Sequence, residues 1–178
     1  IHAARLREEA ADRLQHLQTL RAVDQAIVSS IDLRITLNVL LNHVVAQLGA
    51  DAAAVLLLNP HYKALQFAAA HGFRTRQIES ANVPLNDEYS GRAVLERRVV
   101  KIFSFSEIVN NQSFARLWNE EGFTGYICVP LIAKGEVKGV LEVYSRSLFS
   151  PNDEWIEFLQ TLAGQAAIGI DNSQLFDD

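Results

Sequence analysis

The sequence predicts an α+β domain, a central antiparallel sheet of about five or six strands flanked by N- and C-terminal helices. Three observations carry this. Gly125 to Ile132 and Glu136 to Ser145 are apolar runs joined at Lys134-Gly135, which reads as a hairpin. Asp51 to Leu58 and Leu65 to His71 form a second such pair around Asn59-Pro60-His61. Apolar residues also recur at helical spacing near both ends of the chain.

The N-terminal pattern passes through Leu6, Ala10, Leu14, Leu17, Leu20, Ile27 and Ile31, with charged faces between. Arg13 and Asp24 interrupt a strict heptad, so a narrow apolar seam is expected, covered by a second copy of the chain. Ser30 to Asp32 reads as a break, with Asp32 capping a second helix that ends at Gly49. After the first hairpin the pattern weakens from Gly72 to Leu85. Ser90 to Glu96 then reads as a short helix capped by Ser90, and Val99 to Phe103 as a short strand. Ser104 to Gly122 is the least regular stretch and is expected to be a loop. Ser150-Pro151-Asn152-Asp153 opens the last helix, with Ser150 as cap and Pro151 at its first position. Gly164 and Gly169 in that helix suggest close packing, and the helices are expected to cover one face of the sheet.

Composition excludes several classes. The net charge is −5 and the basic residues are scattered, which argues against a nucleic-acid module. No stretch approaches the ~20 apolar residues of a membrane span, and Ile1 to Arg5 lacks a signal-peptide centre. The single cysteine forbids an internal disulfide and suits a cytoplasmic setting. With no Met at position 1 or elsewhere, the chain reads as a piece of a longer protein.

Certain segments are more specific. Gly122-Phe123-Thr124-Gly125-Tyr126-Ile127-Cys128-Val129-Pro130-Leu131-Ile132 is followed by Gly135-Glu136-Val137-Lys138-Gly139-Val140-Leu141-Glu142-Val143-Tyr144. Pro84-Leu85 precedes Ser90-Gly91-Arg92-Ala93, and Phe149 to Asp153 precedes Gln165 to Ile170. In this order they resemble the GAF family of small-molecule sensor domains, over about Asp32 to Leu175. The resemblance implies a dimerisation and signalling helix over 1–31 and a sensor domain over 32–178 ending in a connector helix. It departs from many relatives at Asn86 to Tyr89, where they carry a Gly-rich turn, and it lacks the signature of cyclic-nucleotide-binding relatives. Ile170 to Phe176 resembles GAF modules of bacterial proteins that precede cyclic-di-GMP phosphodiesterase, diguanylate cyclase or histidine-kinase domains; an HD-GYP phosphodiesterase is the favoured output domain.

The candidate ligand-binding residues are Phe105, Phe114, Trp118, Phe123, Tyr126, Cys128, Glu142 and Tyr144, which the predicted strands and loop bring around one cavity. Glu142 within an apolar strand is either a pocket anchor or the solvent side of an alternating strand. Cys128 has no second cysteine for exchange and no adjacent cation, so a buried structural thiol is favoured over a reactive one. The His residues lack metal-ligand spacing, and neither a catalytic motif nor a cofactor-binding motif is present. The expectation is a non-catalytic module with a small-molecule ligand, a homodimer and an output domain in the parent chain. The alternative is a ligand-free dimerisation scaffold, its cavity filled by its own side chains.

Overall fold

The computed structural model describes residues 29–86, 89–103, 112–147 and 151–177, without the side chains of 29–31, 112–113 and 175–177. The expected 1–31 helix falls almost wholly outside them, as does Phe105. In chain order come α1 (Ser29–Leu48), β1 (Ala52–Asn59), β2 (Ala64–His71), a 3-10 turn (Gln77–Ser80), β3 (Asn82–Pro84) and α2 (Ser90–Glu96). They are followed by β4 (Val100–Ile102), α3 (Gln112–Glu121), β5 (Gly125–Ala133), β6 (Glu136–Ser145) and α4 (Asp153–Asp177).

The strands form one six-stranded sheet in the order β3-β2-β1-β6-β5-β4, antiparallel at every step. The two long hairpins therefore sit side by side, and β1 pairs with β6 across the centre. Lys134 and Gly135 both take positive φ, 53° and 79°, the geometry of a tight turn between right-twisted strands. In the other hairpin Asn59 Oδ1 accepts from the backbone N–H groups of His61 and Tyr62 at 2.9 and 3.2 Å, holding the turn locally. Pro130 lies inside β5, but β4 reaches only as far as Cys128. The missing N–H therefore falls where β5 has a partner on one side alone. Gly139 is required by close approach: a Cβ there would stand 2.1 Å from the Leu56 carbonyl oxygen.

Alternation divides the central strands between two cores. Val55, Ile127, Val129, Leu141 and Val143 face α1 and α4, whose Leu37, Leu41, Leu159 and Ile170 are fully buried against them. Each such side chain contributes about 1.5–3 kcal/mol by leaving water. Ala52, Ala54, Leu56, Tyr126, Cys128, Val140 and Tyr144 face the other way, towards α2 and α3. Trp155 of α4 donates its indole N–H to the Leu48 carbonyl at 2.9 Å, which joins the two long helices where α1 ends.

Several local expectations are corrected. Helices cover both faces, because each inner strand is apolar on both sides. α1 runs unbroken through Ser30 to Asp32, so Asp32 lies in its first turn and is no cap. The stretch expected to be a loop contains α3. Short β3 extends the sheet within the weakly patterned 72–85 segment. The cap of α4 is Asn152, whose Oδ1 accepts from the Trp155 N–H at 2.8 Å; Pro151 precedes the helix. Ser90 begins α2, and Tyr89 takes the cap position. Gly164 and Gly169 serve no close packing among the described residues, where a Cβ at either would meet nothing within 4 Å.

Candidate functional site

The sheet face turned towards α2 and α3 gathers seven of the eight sequence-predicted residues. β5 contributes Tyr126 and Cys128, β6 contributes Glu142 and Tyr144, α3 contributes Phe114 and Trp118, and Phe123 follows the end of α3. All but Phe114 are buried, and Phe114 is partly so. On a strand, positions two apart share a face, and this brings 126 with 128 and 142 with 144. Antiparallel register then sets Tyr126 opposite Tyr144 and Cys128 opposite Glu142.

The aromatic rings form a continuous wall. Phe114 stacks on Tyr89 with centroids 4.7 Å apart and meets Tyr126 edge-on at 4.9 Å. Tyr126 is 5.1 Å from Tyr144, which stacks on Phe123 at 4.5 Å. Phe73 closes the far side, edge-on to both Phe123 and Tyr144. Tyr89 and Phe73 were missed in the sequence because both lie in segments without a periodic pattern.

Three polar groups interrupt this wall. Glu142 is 3% exposed, so its reading as the solvent side of a strand is excluded. Its strand neighbours are both small, Ala54 on β1 and Cys128 on β5. The Tyr126 hydroxyl donates a short hydrogen bond to Glu142 Oε2. Burial first, then the charges of Cys128, Glu142 and Tyr144, push the Tyr126 phenol well above its ordinary range, so the donor keeps its proton. The third group is Trp118, 1% exposed, whose indole N–H has no hydrogen-bond partner among the described residues. Most buried donors are satisfied, and one left without a partner costs about 1–3 kcal/mol.

A polar clasp at the edge of this face fixes α3. Glu121, fully buried, accepts from the backbone N–H groups of Arg74 and Thr75 and from the Thr75 hydroxyl at 2.8–3.1 Å. Arg146, just past β6, donates to the same carboxylate at 2.6 Å and to the carbonyls of Glu121 and Gly72 at 2.8 and 3.0 Å. Its guanidinium also lies 5.0 Å over the Phe123 ring. Burial alone would raise the Glu121 carboxyl, but these donors together hold it below its ordinary value.

Cys128 is buried and is the single cysteine of the sequence. No group of three His, Cys, Asp or Glu side chains among the described residues is arranged to hold a metal. Nor is any described helix long and apolar enough to cross a membrane. A concavity of about 430 Å³ lies at the hairpin tips between His61, Gln66, Lys138 and Gln174. It contains none of the predicted site residues.

The family model for the GAF domain matches residues 30–171. The chain belongs to the GAF family. Solved structures agree with this fold. They include the GAF domain of a phosphoenolpyruvate-protein phosphotransferase from Acinetobacter (24% identity, TM-score 0.70, covering 90% of this chain and 95% of that one). Residues 122 to 287 of a methyl-accepting chemotaxis protein also match (23% identity, TM-score 0.66, 86% and 97%). A third is the type II free methionine-R-sulfoxide reductase from Thermoplasma acidophilum (18% identity, TM-score 0.66, 80% and 94%). No curated protein matches the sequence. GAF domains are commonly regulatory modules of signalling proteins, set alongside output domains. In this GAF domain the aromatic face lies on the opposite side of the sheet from the long terminal helices α1 and α4.

Proposed function

We propose that this GAF domain is a non-catalytic sensor module in which a small molecule bound at the aromatic face alters the setting of α1 and α4. Those helices then relay the change to an output domain in the parent chain, within the cytoplasm. The carrying observation is Glu142, a buried carboxylate at the centre of an otherwise apolar sheet face. Burying a charge is costly unless it is engaged, and here the Tyr126 hydroxyl engages the Glu142 carboxylate. A site that must orient a ligand gains from such a group. Signalling requires that the ligand bind one helix arrangement more tightly than the other. A homodimer through the terminal helices would supply the second arrangement. An HD-GYP phosphodiesterase as the output domain is supported by the resemblance of residues 170 to 176 alone. The lone buried Cys128 supports the absence of catalysis, since disulfide exchange would need a second thiol.

The alternative, a ligand-free scaffold, has its own support: Phe114, Tyr126, Tyr144 and Phe123 already pack against one another. A thermal-shift screen with nucleotides, amino acids, organic acids and aromatic metabolites separates the two. A ligand at a hundred times its Kd adds about 2.7 kcal/mol, which raises Tm by roughly 5–10 °C in a domain of this size. The sensor reading expects such a hit, weakened by Tyr126→Phe. A flat response across the panel supports the scaffold.

A further inference from the structure

The sides of α1 and α4 that look away from the sheet lack the character of a solvated helix face. Ile35 and Val39 on α1 are 57% and 53% exposed, and Phe158 and Ile168 on α4 are 42% and 58% exposed. Helical residues two apart point about 200° apart. Ile35 and Val39 therefore stand opposite the buried Leu37, and Ile168 opposite the buried Ala166 and Ile170. No Asp, Glu, Lys or Arg occurs from Ile35 to Leu48 or from Phe158 to Ile170, although such residues make up 21% of the chain. The next, Asp171, turns to Lys134 and Lys138 at 3.1 Å. A solvated helix face ordinarily carries charge, whereas the centre of a protein interface is depleted of it. Gly164 and Gly169 fit the same account. Each costs about 1 kcal/mol in a helix relative to Ala, and the open space around both lets a partner helix approach closely.

The chain leading into α1 indicates what covers this face. Ile27 and Ile31 of the predicted N-terminal seam are followed at the same four-residue step by Ile35 and Val39. The seam that starts at Leu6 thus continues in phase into the outward stripe of α1, a helical length of about 50 Å at ~1.5 Å per residue. No Gly or Pro occurs from Ile1 to Leu48 to turn the segment back onto its own domain. Trp155 ties the start of α4 to the end of α1, and the two helices pack along one another over one core. They run antiparallel, so α4 borders the same stripe.

We propose that a second copy of this chain covers the face formed by α1 and α4. The two α1 helices lie parallel and in register about a two-fold axis, and α4 of each copy flanks them. An antiparallel copy would carry its residues 1–28 past the far end of the domain, leaving both N-terminal seams uncovered. Four large apolar side chains per domain fall short of the area that a stable dimer buries, so residues 1–28 supply the rest. This gives the homodimer of the sensor reading a surface and an orientation, and rests on that part of it.

Crosslinking of the full chain tests the proposal. Cys128 is buried and is the single native thiol, so an introduced cysteine is the accessible one. Leu17→Cys and Val39→Cys, made separately and treated with bismaleimidoethane, are each expected to give a covalent dimer. Leu95→Cys, exposed on α2 across the sheet, is expected to give none. Val39→Glu sets two carboxylates against each other across the axis and is expected to raise the dimer Kd at least ~10-fold in sedimentation. Its circular dichroism should be unchanged, because Val39 is exposed within one copy. A dimer that crosslinks at only one of positions 17 and 39 overturns the parallel register. One that crosslinks at neither, or that forms through Leu95→Cys instead, overturns the surface, as does an unchanged Kd for Val39→Glu. The homodimer itself survives these results. A full chain that is monomeric by light scattering overturns the homodimer, and this proposal falls with it.

Discussion

Two adjacent carboxylates, Glu120 and Glu121, lead opposite lives. Consecutive helical residues point about 100° apart, so Glu120 reaches Arg116 on the surface while Glu121 turns inwards to Arg146 and the Arg74–Thr75 amides. Removing one partner of a buried pair costs about 3–5 kcal/mol, because the other charge is left desolvated. Glu121→Gln should therefore lower the urea midpoint markedly at pH 7. The pH dependence follows from the direction of the shift. The folded carboxyl lies below its ordinary value of 4.5, so its contribution is complete above about that pH and is lost as pH falls through the lower folded value. Denaturation at pH 7, 5 and 3 should show the gap between wild type and Glu121→Gln unchanged between the first two and narrowed at the third. A gap independent of pH would remove the charge from this account. Glu121 could not be distinguished from Glu120 in the sequence. Its partners lie 25 to 47 residues away, and only the fold brings them near.

At the scale of elements, α3 shows what a polar composition hides. Asn110 to Ser113 reads as loop, yet Phe114, Leu117 and Trp118 stand at helical spacing and Glu121 completes the same face. That spacing was the available signal. The start of α4 shows the reverse case, where Ser150, Asn152 and Asp153 all suit a cap. Tertiary placement selected Asn152, because Trp155 must reach the Leu48 carbonyl from the first turn. Asn152→Ala should cost about 1 kcal/mol and lower Tm by roughly 2–4 °C, measurable by calorimetry. An unchanged Tm would assign the cap to another group.

The whole molecule divides its sheet between two tasks, with the long helices on one face and the aromatic site on the other. The proposed dimer belongs to this scale. Light scattering of the full chain should give a dimer mass, and removal of residues 1–28 should yield a monomer. A mass unchanged by the truncation would sink the role given to the N-terminal helix.

By itself the sequence determined the class of fold, the four longer strands, the helix before β1 and the helix after β6. These rest on periodicity and turn chemistry, which act between neighbours along the chain. It also set Tyr126, Cys128, Glu142 and Tyr144 on one face, because alternation and the hairpin at Lys134-Gly135 fix register locally. Only the tertiary structure decided that Glu142 is buried rather than solvated. Alternation says that it faces away from Leu141 and Val143, and cannot say whether that side meets water or α3. Burial is a property of what packs above a residue, and here that cover comes from segments distant in sequence.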